Sequence, residues 1–210
     1  LNGSLNIAAD GAIKTISGDA LRLRVNGSPL TAALTGEMIG TEVTLKNFTA
    51  EGLGGKAQGS GALSLSEGKR FTQEVSAAGL NVEELKKTFA PALPVTMTGT
   101  LQKFDGRFGG GFTPDFKSSL AGSMSLSVVD GELKEVSLIA DVMEALATLP
   151  FLGGNTSTKA DDSGTSSPNS TQIKSLTGNF NLASARANTK NLQLVSDLFT
   201  LDGSGSIGLD

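Results

Sequence analysis

The chain has 210 residues and a net charge of −4, which suits one β-rich domain or two small ones. Hydrophobic residues are 38% and charged residues 18%, both low, so the ordering signal must come from the pattern of apolar residues rather than their number. Cys, His, Trp and Tyr are absent, which excludes Cys/His zinc sites, nucleophilic triads with a His base, and base- or sugar-stacking platforms built on Trp or Tyr. The only basic pairs are Lys69-Arg70 and Lys86-Lys87, and without a basic stripe nucleic acid is set aside as a partner.

From Leu1 to Gly79 the sequence reads as strands. Gly3 is followed by Leu5 and Ile7, and Gly61 by Leu63 and Leu65, with small or polar residues between. Side chains alternate faces along a strand, so each such segment has one apolar and one wet face. Leu21, Leu23 and Val25 alternate with Arg22 and Arg24, and Asn26-Gly27-Ser28 then predicts a hairpin turn. Val43 and Leu45 share a face that Phe48 leaves, which places a bulge at Lys46-Asn47. Gly54-Gly55 predicts the next turn.

The period changes at residues 80–90. Asn81 is a good N-cap with Glu84 as its capping-box partner, Leu80 and Leu85 occupy the staple positions, and Val82, Leu85 and Phe89 share a helical face. Pro91 and Pro94 stop the helix. Residues 95–135 return to strands. The glycines rule out a helix through Phe104, Phe108, Phe112 and Phe116, and predict two strands joined at Gly109-Gly110-Gly111 with the phenylalanines on one side. Asp130-Gly131 reads as another hairpin signal. Val136, Ile139, Val142, Met143, Leu146 and Leu149 recur at helical spacing, and Pro150 ends that run. Residues 153–170 are polar, and a flexible loop is expected there. Three strands follow, from Ile173 to Leu182, Ala187 to Val195 and Phe199 to Leu209.

The pattern repeats on a larger scale. Asn47–Leu65 and Asn191–Leu209 align without a gap, Gly-Ser-Gly on Gly-Ser-Gly, which suggests a modular array of hairpins. The expected fold is mainly β: a curved antiparallel sheet, or open β-groove, with two short helices on its concave face. No run of about 18 apolar residues spans a membrane and no secretory signal is present. Because the pattern runs into both ends, the expectation is a single β-rich piece, residues 1–210, of a longer protein.

The segment from Leu133 to Leu209 resembles the C-terminal region of the AsmA family, large envelope proteins of Gram-negative bacteria with relatives that act as lipid bridges. The residues that carry the resemblance are the helical run after a hairpin, Val136 to Leu149, and a variable loop. After them come Ile173-x-x-Leu176-x-Gly178-x-Phe180-x-Leu182, Asn191-Leu192-x-Leu194, and Gly203-Ser204-Gly205-Ser206-Ile207-Gly208-Leu209. The long polar loop after Leu152 departs from the family pattern. The resemblance implies a periplasmic location, an inner-membrane anchor outside this segment, and an apolar groove that holds phospholipid or other acyl-chain lipid.

The expected groove residues are Leu5, Ile7, Leu63, Leu65, Leu101, Met124, Leu126, Phe180, Leu182, Ile207 and Leu209. Val82, Leu85 and Phe89 of the first helix, and Ile139, Val142, Met143 and Leu146 of the second, would plug it. Periodicity alone allows a second reading, in which the stripe is ordinary core and the chain a periplasmic scaffold that docks through sheet edges. No carboxylate pair or glycine loop has ligand or phosphate-cradle spacing, so no catalysis, metal or cofactor is expected.

Overall fold

A computed structural model describes residues 2–66, 68–89, 91, 96–112, 115–134 and 170–208. Alternating apolar and polar residues give, as expected, one open antiparallel sheet, and two short helices accompany it among the described residues. The strands are β1 (Asn2–Asp10), β2 (Ile13–Val25), β3 (Ser28–Ile39), β4 (Glu42–Gly52), β5 (Gly55–Ser64), β6 (Arg70–Ala78), β7 (Leu80–Asn81), β8 (Thr96–Gly111), β9 (Ala121–Lys134), β10 (Ser170–Ala183), β11 (Arg186–Val195) and β12 (Thr200–Gly208). Helix α1 is Val82–Phe89 and α2 is Phe116–Ser119. Each strand pairs with the next in sequence, except that β6 passes to β8 and the two-residue β7 extends β6's place against β8. The sheet is a meander, in which short turns suffice because successive strands are neighbours.

The turns follow local chemistry. Asn26 and Gly27 have φ of 47° and 87°, the double positive φ that a two-residue hairpin needs, and Val25 pairs with Ser28 across them. The β4–β5 turn is Leu53-Gly54, one residue earlier than expected. The bulge expected at Lys46-Asn47 is present: the β4–β5 register shifts between Leu45 and Phe48, which returns Phe48 to the apolar face.

Two expectations fail. Asp130-Gly131 makes no hairpin but lies inside β9, where Asp130 has φ 51° and Gly131 packs its backbone against Thr98 and Gly99 of β8. The β8–β9 register shifts at this point, so the left-handed residue absorbs a bulge. Gly109-Gly110-Gly111 is not a joint between strands but the last stretch of β8. At Gly110 a Cβ would lie 3.1 Å from the Phe71 ring and 3.2 Å from the Ser119 hydroxyl, so the glycine admits α2 and its aromatic neighbours. Helix α2 itself was not expected. The expected helix over Val136 to Leu149, with Ile139, Val142, Met143 and Leu146, and nearly all of the expected loop at 153–170, lie outside the described residues.

Helix α1 forms where its cap predicts. The Glu84 backbone N–H donates to Asn81 Oδ1 at 3.0 Å, while the Glu84 carboxylate turns to Lys87 instead of closing the capping box. Val82 and Leu85 pack on the buried cluster Leu80, Leu101 and Val128, with Phe104, Leu126 and Leu176 around it. Phe89 is 61% exposed, and the helix is docked at that end through Thr88, which is 1% exposed. The Thr88 carbonyl accepts from Asn26 Nδ2 at 2.6 Å and its hydroxyl bonds the Ser28 hydroxyl at 2.7 Å. Helix α1 therefore ties the β7–β8 region to the β2–β3 turn across one end of the strands.

Candidate functional site

The register places the apolar residues in rows that cross the sheet from edge to edge. One row runs Leu5, Gly18, Leu34, Phe48, Gly59, Val75, Gly106, Met124, Phe180, Thr189, Gly205, each the direct partner of the next. A second runs Ile7, Ile16, Gly36, Leu45, Gly61, Gln73, Phe108, Gly122, Leu182, Ala187, Ile207. A third runs Leu21, Ala32, Ala50, Ala57, Ala77, Phe104, Leu126, Gly178. Directly paired residues share a face, so these rows form one surface, and no charged side chain occurs in them. With strands about 4.8 Å apart, the two longer rows extend roughly 50 Å.

Large residues in the rows lean over the glycines beside them. A Cβ on Gly59 would lie 2.6 Å from the Phe48 ring, one on Gly106 2.5 Å from the Phe108 ring, and one on Gly178 3.0 Å from the Phe180 ring. The rings thus cover bare backbone and smooth the floor, the packing by which an aromatic side chain shields a neighbouring strand glycine. Phe104 and Phe108 stack at 6.3 Å on either side of Gly106.

The two helices sit at opposite ends of the strands on this face. Helix α1 covers the Leu80, Leu101 and Val128 end. At the other end Phe71 packs against Phe112 and Phe116, with ring centroids 5.2 and 5.8 Å away. Ser119 of α2 fixes this arrangement by bonding both the N–H and the carbonyl of Gly111. Leu34, Phe48, Val75, Phe108 and Met124 lie between the two ends and are half-buried.

The expected groove residues divide by place. Leu101 and Leu182 are buried, Leu63, Met124, Leu126 and Phe180 half-buried, and Leu5, Ile7 and Ile207 exposed at the two sheet edges. Leu65 follows the end of β5 and is 44% exposed, and Leu209 lies outside the described residues. The expected groove residues did not include Leu34, Leu45, Phe48, Val75, Phe104 or Phe108, although Phe104 and Phe108 were placed together on one side. Most of them lack the leading glycine of the repeat. Alternation counted through each bulge would have found them.

The opposite face is polar. A cavity of about 680 Å³ opens there, lined by Gln58, Ser60, Glu74, Ser76, Asp105 and Arg107 among others, and a neighbour of about 730 Å³ includes Thr44, Thr72 and Arg107. Glu74 and Arg107 pair at 3.2 Å within it. Lys56 is held above its usual pKa by the hydrogen-bonded Glu51 carboxylate, and Lys87 by Glu83 and then Glu84. All are surface pairs of the kind that contributes little. Among the described residues no group of three His, Cys, Asp or Glu is placed to hold a metal. The site is therefore an apolar surface about eleven strands wide, bounded in its middle by two helices. No protein-family model, curated protein or solved structure matches the chain.

Proposed function

We propose that the chain is a non-enzymatic lipid-binding segment of an AsmA-like envelope protein, holding acyl chains against the apolar rows. Its role would lie in phospholipid transport between inner and outer membranes or in outer-membrane assembly, in the periplasm, with an inner-membrane anchor elsewhere in the protein. The observation that supports this reading is continuity. The rows from Leu5 to Gly205 and from Ile7 to Ile207 cross the sheet without a charge, and their large central residues are half-buried rather than sealed. Each methylene transferred from water to such a surface contributes about 0.8 kcal/mol, a driving force that needs no directional contacts.

Native mass spectrometry of detergent-free protein made in a Gram-negative host tests the reading. Adducts with phospholipid masses are expected, and they should be depleted in Leu63→Asp. Protein that carries no lipid under any condition would overturn it.

A further inference from the structure

The apolar face carries an amide. Gln73 on β6 stands in the second row, with Gly61 opposite it on β5 and Phe108 opposite it on β8. Phe71 and Val75, two places away along β6, share its face. The side chains around it are therefore aromatic or aliphatic, and Gly61 adds none. A Cβ on Gly61 would lie 3.6 Å from Gln73 Cβ, so the glycine leaves the space beside the amide clear.

One other polar side chain stands in the three rows, Thr189, and the two differ. Thr189 is 9% exposed, and its hydroxyl accepts from the Asn191 backbone N–H at 3.4 Å. Gln73 is half-buried, and among the described residues its carboxamide bonds no protein group. Water serves the amide while the face is open. A ligand that lies along the row expels that water. It must then offer a hydrogen-bond partner in return, or leave the amide unsatisfied.

We infer that Gln73 is the polar anchor of this face and selects acyl esters, its Nε2 donating to the ester carbonyl at the head of an acyl chain. The inference rests on the lipid-holding reading above. An ester carbonyl accepts and does not donate, which matches the amide N–H. It also stands at one end of a methylene chain, so a lipid held at Gln73 lays its chain on the apolar rows. A chain without that carbonyl gains the same burial but does not replace the water that Gln73 loses.

The test uses two phospholipids with the same headgroup and chain length, one with ester-linked and one with ether-linked chains. They are offered to the protein in equal amounts, and the adducts are counted by native mass spectrometry. The diether lacks the carbonyls and keeps everything else. Wild-type protein is expected to retain the diester over the diether by about fivefold, the contribution of one net hydrogen bond. Gln73→Leu should bind both lipids and lose the preference, because its neighbours on the face are already apolar. Gln73→Met, closer to glutamine in length, should do the same, and circular dichroism checks that both variants keep the β signal. Met124→Leu, a change at another half-buried row position, should leave the preference in place. Equal retention of the two lipids by wild type, or a preference that survives both Gln73 substitutions, would overturn the role of Gln73 and leave lipid binding standing. Binding of neither lipid would overturn the lipid reading and this inference with it.

Discussion

The same strand pattern has two fates on the apolar face. Under α1, Leu80, Leu101 and Val128 are sealed, with Val128 3% exposed. On β1 to β6 most of the equivalent residues lie bare or half-covered, from Leu5 and Ile7 at the edge through Leu34, Phe48 and Leu63, while Leu21 is buried. Nothing in the alternation itself separates the two regions, since Leu63 and Leu101 are both apolar-face leucines. Helix α1, eight residues long, lies over Leu101 and not over Leu63. The sealed residues are the α1 cluster together with Leu21, Ile173, Leu182, Ala187 and Leu194, which stand apart from it.

Substitutions in the two regions should differ accordingly. The largest effect is expected from Val128→Asp or Leu182→Asp, each of which buries an unpaired carboxylate and should prevent folding, read as loss of the β signal in circular dichroism. Leu101→Ala should cost about 2–5 kcal/mol in urea melts, because a buried leucine leaves a cavity. Gly59→Ala lies in the open region but on the floor of a row, where its Cβ would come 2.1 Å from the Glu74 carbonyl. Forcing that backbone apart should cost about 1–3 kcal/mol. Asn81→Ala removes the cap of α1 and should cost about 1 kcal/mol, with increased hydrogen exchange at Glu84. Ile7→Asp, at an exposed site, should change stability by no more than about 0.5 kcal/mol. A large loss there would mean that the bare region is core after all.

The strands were legible because alternation is a local signal that survives without tertiary knowledge. The cap at Asn81 and the turn at Asn26-Gly27 were legible for the same reason: their chemistry lies within a few residues. Asp130-Gly131 misled because a hairpin and a bulge ask for the same positive φ, and only long-range pairing distinguishes them. Ser184 and Ala185 make a hairpin turn with φ of 51° and 55° although neither is a usual turn residue, so the break between the strands at Leu182 and Ala187 marked its place but not its type. Helix α2, four residues long, is too short to show a period. Thr88 reads as a polar helix residue and is buried because Asn26 and Ser28, some sixty residues away, receive it.

The site was half legible. Residues two and four places after a glycine were assigned to the apolar face from the repeat. Phe48 was not, because its place depends on the neighbouring strand, where it faces Gly59. Phe104 and Phe108 were placed together on one side but not in rows, which pair Phe104 with Ala77 and Leu126 and Phe108 with Gln73 and Gly122. That is a property of register, and register here is reset by bulges at Leu45/Phe48, Thr98/Thr100 and Thr177/Phe180.

The most direct test of a lipid-holding face is photo-crosslinking with a phospholipid that carries a diazirine in its acyl chain, followed by peptide mapping. The account predicts label on row residues of the open face, such as Leu34, Phe48, Val75 and Met124, and none on the polar face at Gln58, Ser76 or Ser125. Label on the polar cavity, or no label at all, would contradict it.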